Sequence, residues 1–220
     1  MRFLFLVLPF LIIYIPTTKS QSREITVAPE YNIPVGDLAW GNKAGLGLRL
    51  TFSKLEGDRI TKLNSLTISY TSLPARADTL YYVVDKGGVG GVGLGKAVFS
   101  SFNMFQLRGG IEYSFPLIDR KLALKAGGGI GLVYGSRKIS LTDSFGGGDG
   151  LSELVAWGTL VPSGSLDYRL NDLLTMSAGF SYTFMIQLGN TNANSMNYNP
   201  NTGLIMRYFT PSIAFNLSLP

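Results

Sequence analysis

Residues 174–188 read Leu-Thr-Met-Ser-Ala-Gly-Phe-Ser-Tyr-Thr-Phe-Met-Ile-Gln-Leu. Leu174, Met176, Ala178, Phe180, Tyr182, Phe184, Ile186 and Leu188 fall on one side of an extended chain. Thr175, Ser177, Gly179, Ser181, Thr183 and Gln187 fall on the other. A period of two is the mark of a β-strand, because successive side chains point to opposite faces of the pleat. Two features set this run apart from a strand of a soluble sandwich. It is far longer than the usual 5–6 residues, and its second face is Ser, Thr and Gly rather than Lys and Glu. A tilted strand that crosses a bilayer needs about 9–11 residues, and this run supplies them.

The pattern recurs along the chain. Leu46, Leu48, Leu50 and Phe52 alternate with Gly45, Gly47, Arg49, Thr51 and Ser53; Leu66, Ile68 and Tyr70 alternate with Ser65, Thr67, Ser69 and Thr71. Over 103–115, Phe105, Leu107, Ile111, Tyr113 and Phe115 oppose Gln106, Arg108, Glu112 and Ser114. Residues 122–134 and 212–219 behave alike, with Gly127, Gly129 and Gly131 on the small-residue face of the former. Aromatic residues gather towards strand ends: Tyr70, Tyr113, Phe115, Tyr168 and Phe215 at one level, Phe52, Tyr134, Trp157 and Phe184 at the other. Two aromatic girdles around an apolar band characterise a membrane barrel. Glycine on the other face suits the crowded inner wall of a narrow one.

Composition narrows the chemistry. The 220 residues include 27 Gly, no Cys and no His. Thiolate metal sites, disulfides, His-ligated metals and triads built on histidine are therefore excluded. Charged residues make up 15%, against about 25% in an average soluble domain. Residues 1–20 have the order of a secretory signal peptide: Arg2, an apolar run from Phe3 to Ile15, then Thr18 and Ser20 before the cut. Beyond it, 17 basic residues face 14 acidic ones with no basic run, so nucleic acid is not an expected partner.

Turn signals count the strands. Residues 73–77, 116–121 and Asn171-Asp172 read as short turns; 142–153 and the Asn-rich 190–201 read as longer loops. The reading is an all-β, eight-stranded antiparallel transmembrane β-barrel with short periplasmic turns, longer extracellular loops and both termini periplasmic. Its strands are 43–54, 62–72, one starting near Asp78, 102–115, 122–141, 154–169, 173–189 and 204–219. Residues 21–42 are expected to be a periplasmic segment ahead of a barrel spanning 43–220. Pro162 and Pro211 interrupt two strands, and the apolar phase changes across each, so bulges are expected there. Residues 86–101 either extend the third strand or form a glycine-rich loop.

Few residues carry chemistry. Gly90 to Ala97 nearly matches a phosphate-binding loop, but Ala97 stands where Ser or Thr should hold magnesium and no helical pattern follows. No nucleotide, metal or other cofactor is implied. Arg49, Arg108, Glu112 and Lys125 point into the lumen by phase, with Asp167 beside them, and read as a salt-bridged plug because buried charges must be paired. Asn192, Asn194, Asn197 and Tyr198 are the candidate contacts of an extracellular loop.

The signal peptide, the alternating strands, the turn–loop asymmetry and the aromatic-ended strands resemble small bacterial outer-membrane barrels of the OmpA/OmpX type. Gln21 after the cleavage site and the hairpin Gly110-Ile111-Glu112-Tyr113-Ser114-Phe115-Pro116 look more like the Bacteroidota outer-membrane β-barrel families. The resemblance implies lipid and lipopolysaccharide as surroundings and other envelope proteins as partners. The barrel enzymes of that membrane (lipid A acyltransferase, lipid A deacylase, phospholipase and protease types) resemble one another in needing a histidine. The expected function is a non-enzymatic structural or accessory subunit of a cell-envelope complex; the alternatives are a small pore and a histidine-free membrane enzyme.

Overall fold

The computed structural model describes residues 23–56, 60–85, 92–117, 121–143, 148–190 and 205–219. The signal segment and the loop residues Asn192, Asn194, Asn197 and Tyr198 lie outside these. Ten strands form: β1 (Arg23–Val35), β2 (Gly45–Glu56), β3 (Thr61–Leu73), β4 (Thr79–Asp85), β5 (Val92–Phe99), β6 (Phe102–Pro116), β7 (Leu122–Asp143), β8 (Gly148–Arg169), β9 (Leu174–Asn190) and β10 (Ile205–Leu219). One five-residue helix, α1 (Asp37–Gly41), follows β1. Among the described residues no helix is long and apolar enough to cross a membrane.

Eight of the strands close a ring, in the order β1-β2-β3-β6-β7-β8-β9-β10 and back to β1, all antiparallel. Full closure leaves the ring no edge, so every strand is paired on both sides. The strand count matches the sequence expectation, but the membership differs. Residues 23–35 are not a segment ahead of the barrel: they are its first stave, paired with both β2 and β10. The strand near Asp78 is not a stave. β4 and β5 form a hairpin that joins β7 at Ile139–Asp143, above the point where β6 stops pairing at Ser136. Adding β1 reverses the direction of β2 and β3. The 73–77 turn therefore lies at the long-loop end, and the short connection after β2 joins the short-turn end. Phe52 consequently drops to the short-turn level, and Tyr70 rises to the register row of Phe105 and Tyr134.

The wall alternates as the chemistry requires. Leu48, Ile130, Leu132, Leu160, Phe180, Ile186 and Ile213 all face outwards and are more than half exposed, Ile130 at 70%. Two sequence expectations fail together for one reason. No bulge occurs at Pro162 or Pro211: the β7–β8 register runs unbroken through Gly128↔Pro162, and β9–β10 through Pro211↔Phe180. The register shift in β8 falls at Ala156/Trp157 instead. The apolar phase changes because the lumen itself changes character. Trp157 and Val161 point inwards, fully buried, in an apolar upper half, so Trp157 is no girdle residue. Further down β8 the inward positions are Ser163, Ser165 and Asp167, and the apolar side chains are the outward Leu166 and Tyr168. Strict alternation persists; only the lining switches.

Candidate functional site: the barrel lumen

The upper half of the lumen, towards the long-loop end, is packed shut. Phe102 and Trp157 meet edge to face at 5.7 Å, with Met185, Met206 and Tyr208 around them. Leu38 of α1 hangs into the same cluster from above. The turn into α1 needs Gly36: its φ is +62°, and the Arg207 guanidinium lies where a Cβ would sit. Arg137 enters this cap too. Its Nη2 donates to Asn42 Oδ1, and its guanidinium stacks 5.3 Å from the Phe102 ring centre.

Below the cap lies a hydrogen-bonded polar layer. Thr210 donates to Asn32 Oδ1 (2.7 Å), Asn32 donates to Thr71 (3.1 Å), and Ser69 donates to Gln106 (3.2 Å). Buried polar groups that find partners hold the wall in register, and unpaired ones would each cost about 1–3 kcal/mol.

The five lumen charges expected from the sequence occupy the half near the short-turn end. Arg49, Arg108, Glu112, Lys125 and Asp167 all point inwards, as their phase requires. Lys125 Nζ sits 2.8 Å from Asp167 and 3.0 Å from Glu24. Arg49 Nε lies 3.1 Å from Glu30 and its Nη2 donates to Ser212 (3.3 Å). Glu112 accepts a hydrogen bond from Ser163 (2.9 Å). Among the described residues, no ion pair and no hydrogen bond engages Arg108, which is 8% exposed. The plug thus holds two ion-paired clusters, with Arg108 and Glu112 outside any ion pair and Glu30 attracting Arg108 as well as Arg49.

Sequence reasoning missed Glu24 and Glu30, the carboxylates that pair Lys125 and Arg49. Both come from β1. Its alternation was present, with Ile25, Val27, Tyr31, Ile33 and Val35 outside and Glu24, Thr26, Glu30 and Asn32 inside, but Pro29 and Pro34 masked it. The β1–β10 ladder accommodates Pro29 by leaving Ala28, Pro29, Tyr31 and Asn32 without a pair on β10, around the unbroken Glu30↔Ser212, while Pro34 keeps its place opposite Tyr208. The phosphate-loop decoy resolves into β5, where Gly95, Lys96 and Ala97 pair with β4 and β7 as ordinary strand. Glu112 and Asp167 serve different partners and form no carboxylate pair. Among the described residues no group of three or more acidic side chains is placed to hold a metal ion.

In fold, the chain is similar to small outer-membrane β-barrels. Neisserial surface protein A matches over 92% of this chain and 99% of its own, at 10% identity and a TM-score of 0.49. Ail, the attachment invasion locus protein of Yersinia pestis, matches over 91% of this chain and 100% of its own, at 12% identity and 0.47. The N-terminal β-barrel domain of Pseudomonas aeruginosa OprF matches over 91% and 100%, at 9% identity and 0.40. No protein-family model and no curated protein matches the chain.

Proposed function

We propose that this protein is a non-enzymatic integral outer-membrane barrel that serves as a structural or accessory subunit of a cell-envelope assembly. The observation that carries it is a closed barrel with an apolar outer wall and a blocked lumen. A wall so rich in outward Leu, Ile and Phe would drive aggregation in water, and in lipid it is at rest. The packed cap disfavours a pore, since an eight-stranded barrel has room only for its own side chains or one small ligand. Lipid and lipopolysaccharide would surround the wall, with the short-turn end and both termini in the periplasm.

The contacts with other envelope proteins would fall on the sheet that rises above the wall. There the β4–β5 hairpin continues β7, and the cross-strand neighbours Tyr81, Val83 and Leu94 are 72%, 67% and 66% exposed. On its far side β4 pairs with no described strand, and open strand edges invite added strands. The test is crosslinking in intact cells followed by purification in detergent. A stoichiometric envelope partner lost on Val83→Asp/Leu94→Asp is the expected result. A barrel that purifies alone, or steady conductance in planar bilayers, would refute the accessory role.

A further inference from the structure

The lower lumen holds a small cavity of about 50 Å³, between the polar layer above and the short-turn end below. Arg108 and Glu112 both line it. They stand on the same inward face of β6, two inward positions apart, and the position between them is Gly110. No ion pair joins them, although each lies within electrostatic reach of the other. The adjoining wall on β7 is also bare of side chains: Gly110 pairs with Gly129, and Glu112 with Gly127. Ser65, Thr51 and Thr67 add hydroxyls around the gap. A buried guanidinium and a half-buried carboxylate thus line one open space with no ion pair between them.

The other carboxylates sit in ion pairs elsewhere: Glu30 lies against Arg49, although it also attracts Arg108, while Glu24 and Asp167 hold Lys125. Closed plugs pair their charges, because an unpaired buried ion is costly. At Gly110 a Cβ would meet Gly128 O and Ser65 Oγ at 3.0 Å, whereas at Gly127 and Gly129 it would run into the β6 backbone closer than 3.0 Å, so ring closure itself requires glycine at those two.

We propose that this cavity binds a small zwitterion of the amino-acid class, entering from the short-turn end. Its carboxylate takes the fork of Arg108, which suits two parallel N–H···O bonds. Its ammonium group takes Glu112, which Ser163 holds in place. The layer above seals the cavity, so binding is a dead-end occupancy and not transport. This site is independent of the membrane role proposed above, since it rests only on the lumen.

The experiment uses the full chain refolded in detergent micelles, with glycine, acetate and methylamine as probes and ligand-observed NMR as the readout. Glycine saturates the protein, and acetate and methylamine each bind at least about tenfold more weakly, as the loss of one charged hydrogen-bonding group implies. Arg108→Met abolishes binding of glycine and acetate. Glu112→Gln brings glycine down to the level of acetate. Gly110→Ser fills the gap, leaves both charges in place and also abolishes binding; it covers the case in which Arg108→Met does not fold. Retained heat-modifiable gel mobility confirms each variant's barrel. Failure of glycine to saturate, or saturation unaffected by Arg108→Met or Gly110→Ser, overturns the site. Acetate binding as tightly as glycine, with no effect of Glu112→Gln, overturns the zwitterion assignment.

Discussion

Replacing Lys125 with methionine should be among the most damaging single changes to the charged half of the lumen. Among the described residues, its ammonium group is the only cation between Glu24, at 3.0 Å, and Asp167, at 2.8 Å, and all three residues are less than a tenth exposed. Methionine keeps the stem and removes the charge. The two carboxylates are then left at most about 6 Å apart by those contact lengths, and at an effective dielectric of about 20 they repel by about 3 kcal/mol. Breaking a buried ion pair from one side typically costs about 3–5 kcal/mol, which agrees. The assay is urea unfolding of the barrel in lipid vesicles, followed by tryptophan fluorescence and gel mobility. The double variant K125M/E24Q removes the repulsion and should recover at least half of the loss. As a control, Lys54→Met breaks an exposed pair with Glu56 and should leave the midpoint unchanged. A K125M midpoint equal to wild type, or no recovery in the double variant, would refute the view that β1 delivers Glu24 into the lumen.

Three further outcomes follow from the same geometry. A chain starting at residue 43 lacks β1, so β2 and β10 lose their shared neighbour, and it should give no heat-modifiable band; a band at the wild-type position would restore residues 21–42 to a mere lead-in. Trp157→Ala empties a fully buried site in the apolar cap and should cost about 3–5 kcal/mol in the urea assay, with loss of the blue-shifted emission that distinguishes it from the exposed Trp40. Ile130→Arg places a charge on the lipid face near mid-wall and should cost about 2–4 kcal/mol in vesicles, whereas an unchanged midpoint would argue against a lipid-facing wall.

The alternation in β2, β3, β6, β7 and β9 made the class of fold legible without coordinates, and it placed Arg49, Arg108, Glu112 and Lys125 inside. Two kinds of position were not legible. In β1, Pro29 and Pro34 looked like the marks of a linker, because proline removes a ladder donor and is rare in central strands. In β8 and β10, the apolar side chains change faces half-way along. A reader who assumes that every apolar residue points to lipid sees a bulge there. The structure shows unbroken parity and a lumen with an apolar upper half.

Sequence by itself determined the period of two, the length of the strands, the outward apolar band and the absence of histidine and cysteine chemistry, because these depend only on local pleat geometry and on which side chains exist. Only the tertiary structure decided which eight segments close the ring, which end each turn occupies, and which carboxylate meets which cation. Those are long-range facts. Glu24 finds Lys125 across 101 residues of chain, and no local pattern records that contact, since it exists only once β1 is zipped between β2 and β10 and the ring has shut.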